Sequence, residues 1–231
     1  MPFKLRRLIE FSTRQVAWIK KNRRYRPNQE VVKVNLGAGL SPAEGWINLD
    51  ISLNAFFSKW PRPFLKVLYR MSGARQWHSQ DEYCEILHNH LFIHHEVRYG
   101  IPFSDNTIDY LYSSHLLEHL DRDDIKGLLK EAHRVIIPEG VIRICVPDLE
   151  YAISLFQRGD KEQALNLFFP CSNNSIFSLH RYMYDFELLK KQLEKAGFHN
   201  INRCSFQQGA TPDLDRLDKM PEQTLYVEAR K

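Results

Sequence analysis

No apolar run in this chain approaches the roughly 18 residues needed to cross a bilayer, so no membrane-spanning segment is expected. Met1–Lys33 lacks the continuous apolar core and small-residue cleavage site of a secretory leader, and a cytoplasmic location is expected. Cysteine is sparse: Cys84, Cys145, Cys171 and Cys204 are widely spaced, which argues against a disulfide framework and makes reduced thiols the default. Internal repeats and low-complexity tracts are absent. So is any RNA-binding motif or aromatic stacking platform, and nucleic acid is not an expected partner.

What is present fits one domain of ordinary α/β size. The chain has 231 residues, 43% hydrophobic and 26% charged, enough to bury a core in a globular fold. Its net charge of +4 hides an asymmetry. Residues 1–35 hold ten Lys/Arg and two Asp/Glu, so everything after them is net acidic. Leu5, Leu8, Ile9, Val16 and Ile19 fall near one face of a helical wheel, with Phe11 and Trp18 on its flanks. A basic amphipathic helix over about 3–22 can pack over the mouth of a site or make peripheral contact with an anionic membrane through residues 1–26. Residues 1–30 are therefore read as a basic helix and linker, and 31–231 as the main domain.

Val31–Asp50, VVKVNLGAGLSPAEGWINLD, is the most informative stretch. A short apolar run stops at a Gly-x-Gly turn, and a second apolar segment ends in an acid. Gly37 and Gly39 can take positive φ and have no Cβ to block a ligand. Asp50 would then sit at the tip of the neighbouring strand, where a carboxylate can accept both hydroxyls of a ribose. A dinucleotide fingerprint would need a third glycine inside a following helix. Pro42 stands in that place, which argues against NAD or FAD.

This segment resembles motif I of the class I S-adenosylmethionine-dependent methyltransferases. The resemblance continues through Ile101–Leu120, Ala132–Asp148 and His180–Phe198, and is nearest to small methyltransferases of the type 11 group. It implies a Rossmann-like, mostly parallel seven-stranded sheet flanked by helices, with a terminal antiparallel hairpin. The alternation of apolar strands and amphipathic helices agrees. Strands are expected near 31–36, 46–51, 93–98, 109–114, 141–146, 200–206 and 224–230. Helices are expected near 123–135, 149–157 and 185–196, with a loop from 157 to 180. Residues 52–92 form an unusually long connection, with helices near 64–71 and 80–90 after the helix-breaking Trp60-Pro-Arg-Pro. This insertion is the candidate substrate lid. Trp46, Trp60 and Trp77 are read as core or lid packing residues.

The same resemblance implies S-adenosyl-L-methionine as cofactor, with Gly37, Ala38 and Gly39 at its methionine portion and Asp50 and Ile51 at the ribose. It puts Glu96 and Val97 beside the adenine, and Ser114 and His115 near the transferable methyl. For catalysis the candidates are His115, His180 and Asp148. A neutral imidazole suits removal of an acceptor proton, and Asp148 can orient a histidine, bind the acceptor or cap the next helix. Arg181 is read as either a phosphate contact or a surface ion pair. His115-Leu-Leu-Glu-His119 matches a zinc-peptidase pattern, but His115 belongs to a strand-to-helix turn, so Glu118 and His119 are read as supports. Cys84, His78, His88, His90, His94 and His95 fit no familiar metal spacing, and no metal is expected. The expected reaction is methyl transfer to a small-molecule or saccharide acceptor, with O-methylation favoured; the saccharide is implied only by resemblance to small family members of surface-polysaccharide pathways. The alternative is a non-catalytic cofactor-binding regulator or partner subunit. Oligomeric state is not legible.

Overall fold

The computed structural model describes residues 3–170 and 179–231. The side chains of Leu5, Leu8 and Ile9, and Cys171 as a whole, lie outside the described set. Seven strands form one sheet: β1 (Lys33–Leu36), β2 (Ile47–Asp50), β3 (Leu91–His94), β4 (Ile108–Ser114), β5 (Ile136–Pro147), β6 (His199–Cys204) and β7 (Thr224–Arg230). Their order is β3-β2-β1-β4-β5-β7-β6. The first five run parallel, and β7 lies antiparallel between β5 and β6.

Strand alternation divides the buried side chains between two unlike layers. On one face Val34, Leu36, Leu111, Ile142, Ile144, Val146, Leu225 and Val227 join the main apolar core. Helix α5 (Arg122–Val135) covers it with Ile125, Leu128, Leu129, Ala132 and Val135, a helical spacing, and α8 (Phe186–Ala196) adds Leu189 and Leu193. The ends of these helices are specified locally. Asp123 and Asp124 occupy the first turn of α5, with His133 and Arg134 in its last, complementing the helix dipole. Asp185 accepts from Leu188 N–H at 2.7 Å, and Gly197, at φ 104°, closes α8 in the left-handed conformation.

The other face mixes a small apolar cluster around Trp46, Tyr112, Cys145 and Tyr226 with buried polar groups. Residues 37–46 cross from β1 to β2 with no helix, consistent with the missing third glycine, and Asn35 Nδ2 donates to Ser41 O at 3.4 Å. Farther along this face Arg143 is fully buried. It donates to Asp218 (2.6 Å) and Glu228 (3.1 Å), and to the carbonyls of Ser205 and Gln208. Residues 205–218, including the single turn α9 (Leu214–Leu217), are thus tied to the sheet by this guanidinium, with Lys33, Trp46 and Tyr112 adding bonds to Asp213 and Leu217.

Three helices, α2 (Leu53–Phe56), α3 (Arg62–Met71) and α4 (Gln80–Asn89), fill the insertion. The proline pair starts α3 rather than breaking it: Pro61 is its N-cap and Pro63 lies in the first turn, where a missing N–H costs nothing. Ala55, Leu65, Leu68, Tyr83, Cys84 and Leu87 form a separate apolar core that also takes in Ala38 of the glycine turn. The insertion is therefore a packed layer tied to that turn. Trp46 is buried, but Trp77 is 79% exposed, so its expected packing role is not found.

Other boundaries moved. The third strand ends at His94, so Glu96 and Val97 follow it in a 3-10 turn instead of extending it. The fifth strand begins at Ile136 and carries Pro138-Glu-Gly140 as an irregularity in its pairing with β4. The expected loop from 157 contains α7 (Lys161–Phe168), after α6 (Leu149–Arg158). The amino-terminal helix α1 (Phe3–Ile19) buries Thr13 and Ala17, while Ile19 of the expected apolar face is 75% exposed. Just beyond it, Lys20 Nζ sits 4.7 Å from the centre of the Phe56 ring, over the insertion. No described helix is long and apolar enough to cross a membrane.

Candidate active site

The carboxyl ends of β1, β2, β3 and β4 converge because the parallel registers are set by buried apolar side chains. Leu36 pairs with Leu49 and Ser113, and Asp50 pairs with His94. The chain leaves β1 through Gly37 and Gly39, at φ 67° and 55°. Gly37 N–H donates to Leu49 O at 2.8 Å, and Gly39 N–H to Asp50 Oδ2 at 2.9 Å. Ser52 N–H reaches Asp50 Oδ1 at 2.7 Å. Asp50 is thereby oriented by two backbone donors, and each oxygen keeps a lone pair. A Cβ on Gly37 would press on Leu116 at 3.1 Å, whereas nothing lies within 4 Å of the corresponding position on Gly39.

Around this turn several buried polar atoms have no partner: Ser52 Oγ, His94 Nδ1 and Ser113 Oγ. Desolvation makes such atoms costly unless a ligand meets them. His94, weighed in the sequence only among the insertion's histidines, closes the third strand beside Asp50. Its Nε2 faces Ile51 O at 3.0 Å, and burial, reinforced by Lys20, holds its pKa down to about 4 from 6.5. The folded state therefore resists protonating it. The stability carried by the neutral ring is complete above pH 6.5 and is lost as pH falls toward about 4. That loss reaches at most roughly 3 kcal/mol. Urea unfolding at about pH 7.5 and about pH 5 should show a smaller pH dependence for His94→Gln than for the parent; equal slopes would refute the assignment.

Glu96 is buried and held by Arg98, whose Nη2 lies 2.7 Å from Oε2 and whose N–H lies 3.3 Å from Oε1. Val97 is packed in the main core, and Ile51 offers its carbonyl to His94. Ala38 is buried in the insertion's core, leaving its backbone as the group for a ligand.

His115 directly follows β4 in the left-handed region, at φ 49°, a conformation uncommon for residues other than glycine. Its Nδ1 lies 3.0 Å from Glu118 Oε1, and its Nε2 lies 3.3 Å from Thr224 Oγ1. Glu118 is fully buried in a 3-10 turn, Leu117–His119. An ionised carboxylate only accepts, so Nδ1 carries the hydrogen and Nε2 presents a lone pair. Ser114, beside it, closes the strand half-buried.

Two expected catalytic residues are engaged otherwise. Asp148 caps α6 through Glu150 N–H at 2.9 Å, and its second oxygen pairs with Arg203 at 2.7 Å. Both oxygens thus have structural partners, as expected of the helix-cap reading. His180 does not face an acceptor alone: its Nδ1 lies 2.7 Å from Leu167 O, and its ring lies 5.1 Å from that of His119. Burial pushes its pKa below the ordinary value, with Glu118 pulling the other way. Arg181 forms an exposed ion pair with Asp121 at 2.8 Å. In the insertion, His78 pairs with Glu82, and Cys84 is buried in the apolar core. Among the described residues, the insertion's histidines and cysteine form no convergent ligand group.

A parallel sheet with a glycine turn and an acid at adjacent strand ends is the place where open α/β sheets receive ligands. Residues 62–144 match a family described as a methyltransferase domain. Comparison with curated proteins gives no match. Among solved structures, an S-adenosylmethionine-dependent methyltransferase from Archaeoglobus fulgidus is similar with a TM-score of 0.51 and 16% identity, over 98% of this chain and 94% of that one. A second, from Thermotoga maritima and described as a possible histamine N-methyltransferase, gives 0.51 and 16%, over 99% and 92%. At such identity the likeness speaks for the fold. Together with the methyltransferase-domain match over residues 62–144, this fold supports S-adenosylmethionine-dependent methyl transfer, with S-adenosylmethionine as cofactor. The open space at Gly39 and the unpartnered Ser52, His94 and Ser113 atoms fit a group rich in hydroxyl and amino functions.

Proposed function

We propose that the chain methylates a hydroxyl of a small or glycan-like acceptor. The cofactor supplies a methyl group already activated by a sulfonium. The backbone at Gly37, Ala38 and Gly39 would receive its methionine portion and Asp50, beside Ile51, its ribose. Glu96 and Val97 would flank the adenine, and Ser114 would line the methyl end. The observation that carries the hydroxyl is the Glu118–His115 pair. An amine can attack once neutral, but a hydroxyl gains from a base in the transition state. Glu118 fixes the ring so that His115 Nε2 can take that proton and stabilises the imidazolium that results, the division of labour found in carboxylate–histidine catalysis. Support for a saccharide acceptor is the family resemblance described above.

Transfer of a ¹³C-labelled methyl group from S-adenosylmethionine into a cell extract tests this reading. The label is expected in an ether, with loss of transfer in His115→Ala. Label on nitrogen would overturn O-methylation, and cofactor binding with no transfer to any acceptor would favour the regulator alternative.

A further inference from the structure

Glu118 and His119 follow β4, while His180 arrives from the segment before α8. Their metal-ligating atoms nevertheless lie within 4.8 Å of one another. Among the described residues no other group of three His, Cys, Asp or Glu side chains converges in this way. His119 Nδ1 lies 3.1 Å from Leu179 O, and His180 Nδ1 lies 2.7 Å from Leu167 O. A carbonyl oxygen can only accept. Each Nδ1 therefore carries the ring hydrogen and each Nε2 presents its lone pair, the arrangement by which backbone carbonyls orient metal-binding histidines. His119 Nε2 lies 4.0 Å from Glu118 Oε1.

Glu118 supplies the second, independent observation. Its side chain is fully buried, Oε1 is held by His115, and Oε2 is buried with no hydrogen-bond partner. A carboxylate oxygen so placed is costly without a positive partner.

We propose that Glu118, His119 and His180 bind one divalent first-row transition ion through a carboxylate oxygen and two Nε2 atoms. Two imidazoles and one carboxylate suit zinc, manganese, iron or cobalt, whereas calcium and magnesium favour oxygen ligands. Metal–ligand distances of about 2.0–2.2 Å place the donors of a tetrahedral site roughly 3.3–3.6 Å apart. The observed cluster contracts by about 1 Å through side-chain rotation to reach that geometry. Three protein ligands leave a position open, where a bound hydroxyl loses its proton more readily. His115, on the other oxygen of Glu118, lies next to that position. The ion site stands on its own geometry; its part in activating the acceptor rests on the methyl-transfer reading.

Titration of chelator-stripped protein with Co²⁺, followed by calorimetry and visible absorption, tests the site without any acceptor. One ion per chain is expected. His119→Gln and His180→Gln should each weaken binding by at least roughly tenfold to a hundredfold, with S-adenosylmethionine binding retained as the check on folding. Should Glu118→Gln fail to fold, the half-buried His119 and His180 carry the test. No uptake of Co²⁺ by the stripped parent, or uptake as tight as the parent's in both histidine variants, would overturn the site. Uptake that both variants lose upholds it, even if no acceptor hydroxyl is methylated and the O-methylation reading falls.

Discussion

His115→Ala is expected to bind S-adenosylmethionine like the parent and to transfer methyl roughly 10²–10⁴-fold more slowly, the usual size of a general-base contribution. The deficit should shrink at high pH, where the acceptor begins to ionise unaided. His115 lies at the strand end with its Nδ1 held by buried Glu118, so its removal takes away a base and leaves the glycine turn and Asp50 intact. A residue that merely shaped the pocket would raise the acceptor's KM and leave that pH response unchanged. Single-turnover kinetics across pH distinguish the two, and parental rates throughout would exclude His115 as the base.

Asp218→Ala should lower folding stability by about 3–5 kcal/mol, as breaking a buried ion pair strands the surviving charge. Arg143 and Asp218 are both fully buried, and Asp218 also accepts from Gln207 N–H at 2.8 Å and Tyr112 OH at 3.3 Å. Glu228 remains near Arg143 in the variant, but its Oε1 is shared with Thr211 N–H and its Oε2 with Ala210 N–H. It cannot replace two guanidinium contacts. The exposed Lys126–Asp123 pair provides the contrast. Asp123→Ala should cost far less, because solvent screens such pairs. Urea unfolding of the two variants would reveal this difference, and a shift no larger for Asp218→Ala than for Asp123→Ala would refute the network's role.

The cofactor end of the molecule was the more legible part. Gly37, Gly39 and Asp50 are close in sequence, and the local rules for strands and turns bring them together directly. The parallel sheet and its antiparallel closing strands follow from the same alternation. Local patterning fails where a contact spans the chain. Arg143 reads as one polar residue in an apolar strand, and its partners come from residues 205–228, a segment with little periodicity. His94 and His95 made the third strand look shifted, because buried histidines resemble polar strand ends. Helix α7 went unread because Gly159 and Asp160 break the pattern just before it and, within its eight residues, only Ala164 is buried. Glu118 and His119 were visible as a motif, but only the fold brings His180 to them. Asp148 shows the limit of position alone, since a strand-end acid can serve a helix cap and an ion pair instead of a substrate.

Isothermal titration of the full chain with S-adenosylmethionine, repeated with Asp50→Ala and Asp50→Asn, probes the cofactor site most directly. The parent should bind one cofactor per chain. Each charge-assisted hydrogen bond to the ribose contributes about 1.5–3 kcal/mol, so Asp50→Ala should bind at least roughly tenfold more weakly. Asp50→Asn keeps the size of the side chain and removes its charge, and should also weaken binding. Parental affinity in both variants, each shown to be folded, would contradict the assignment of Asp50 and the crevice built around it.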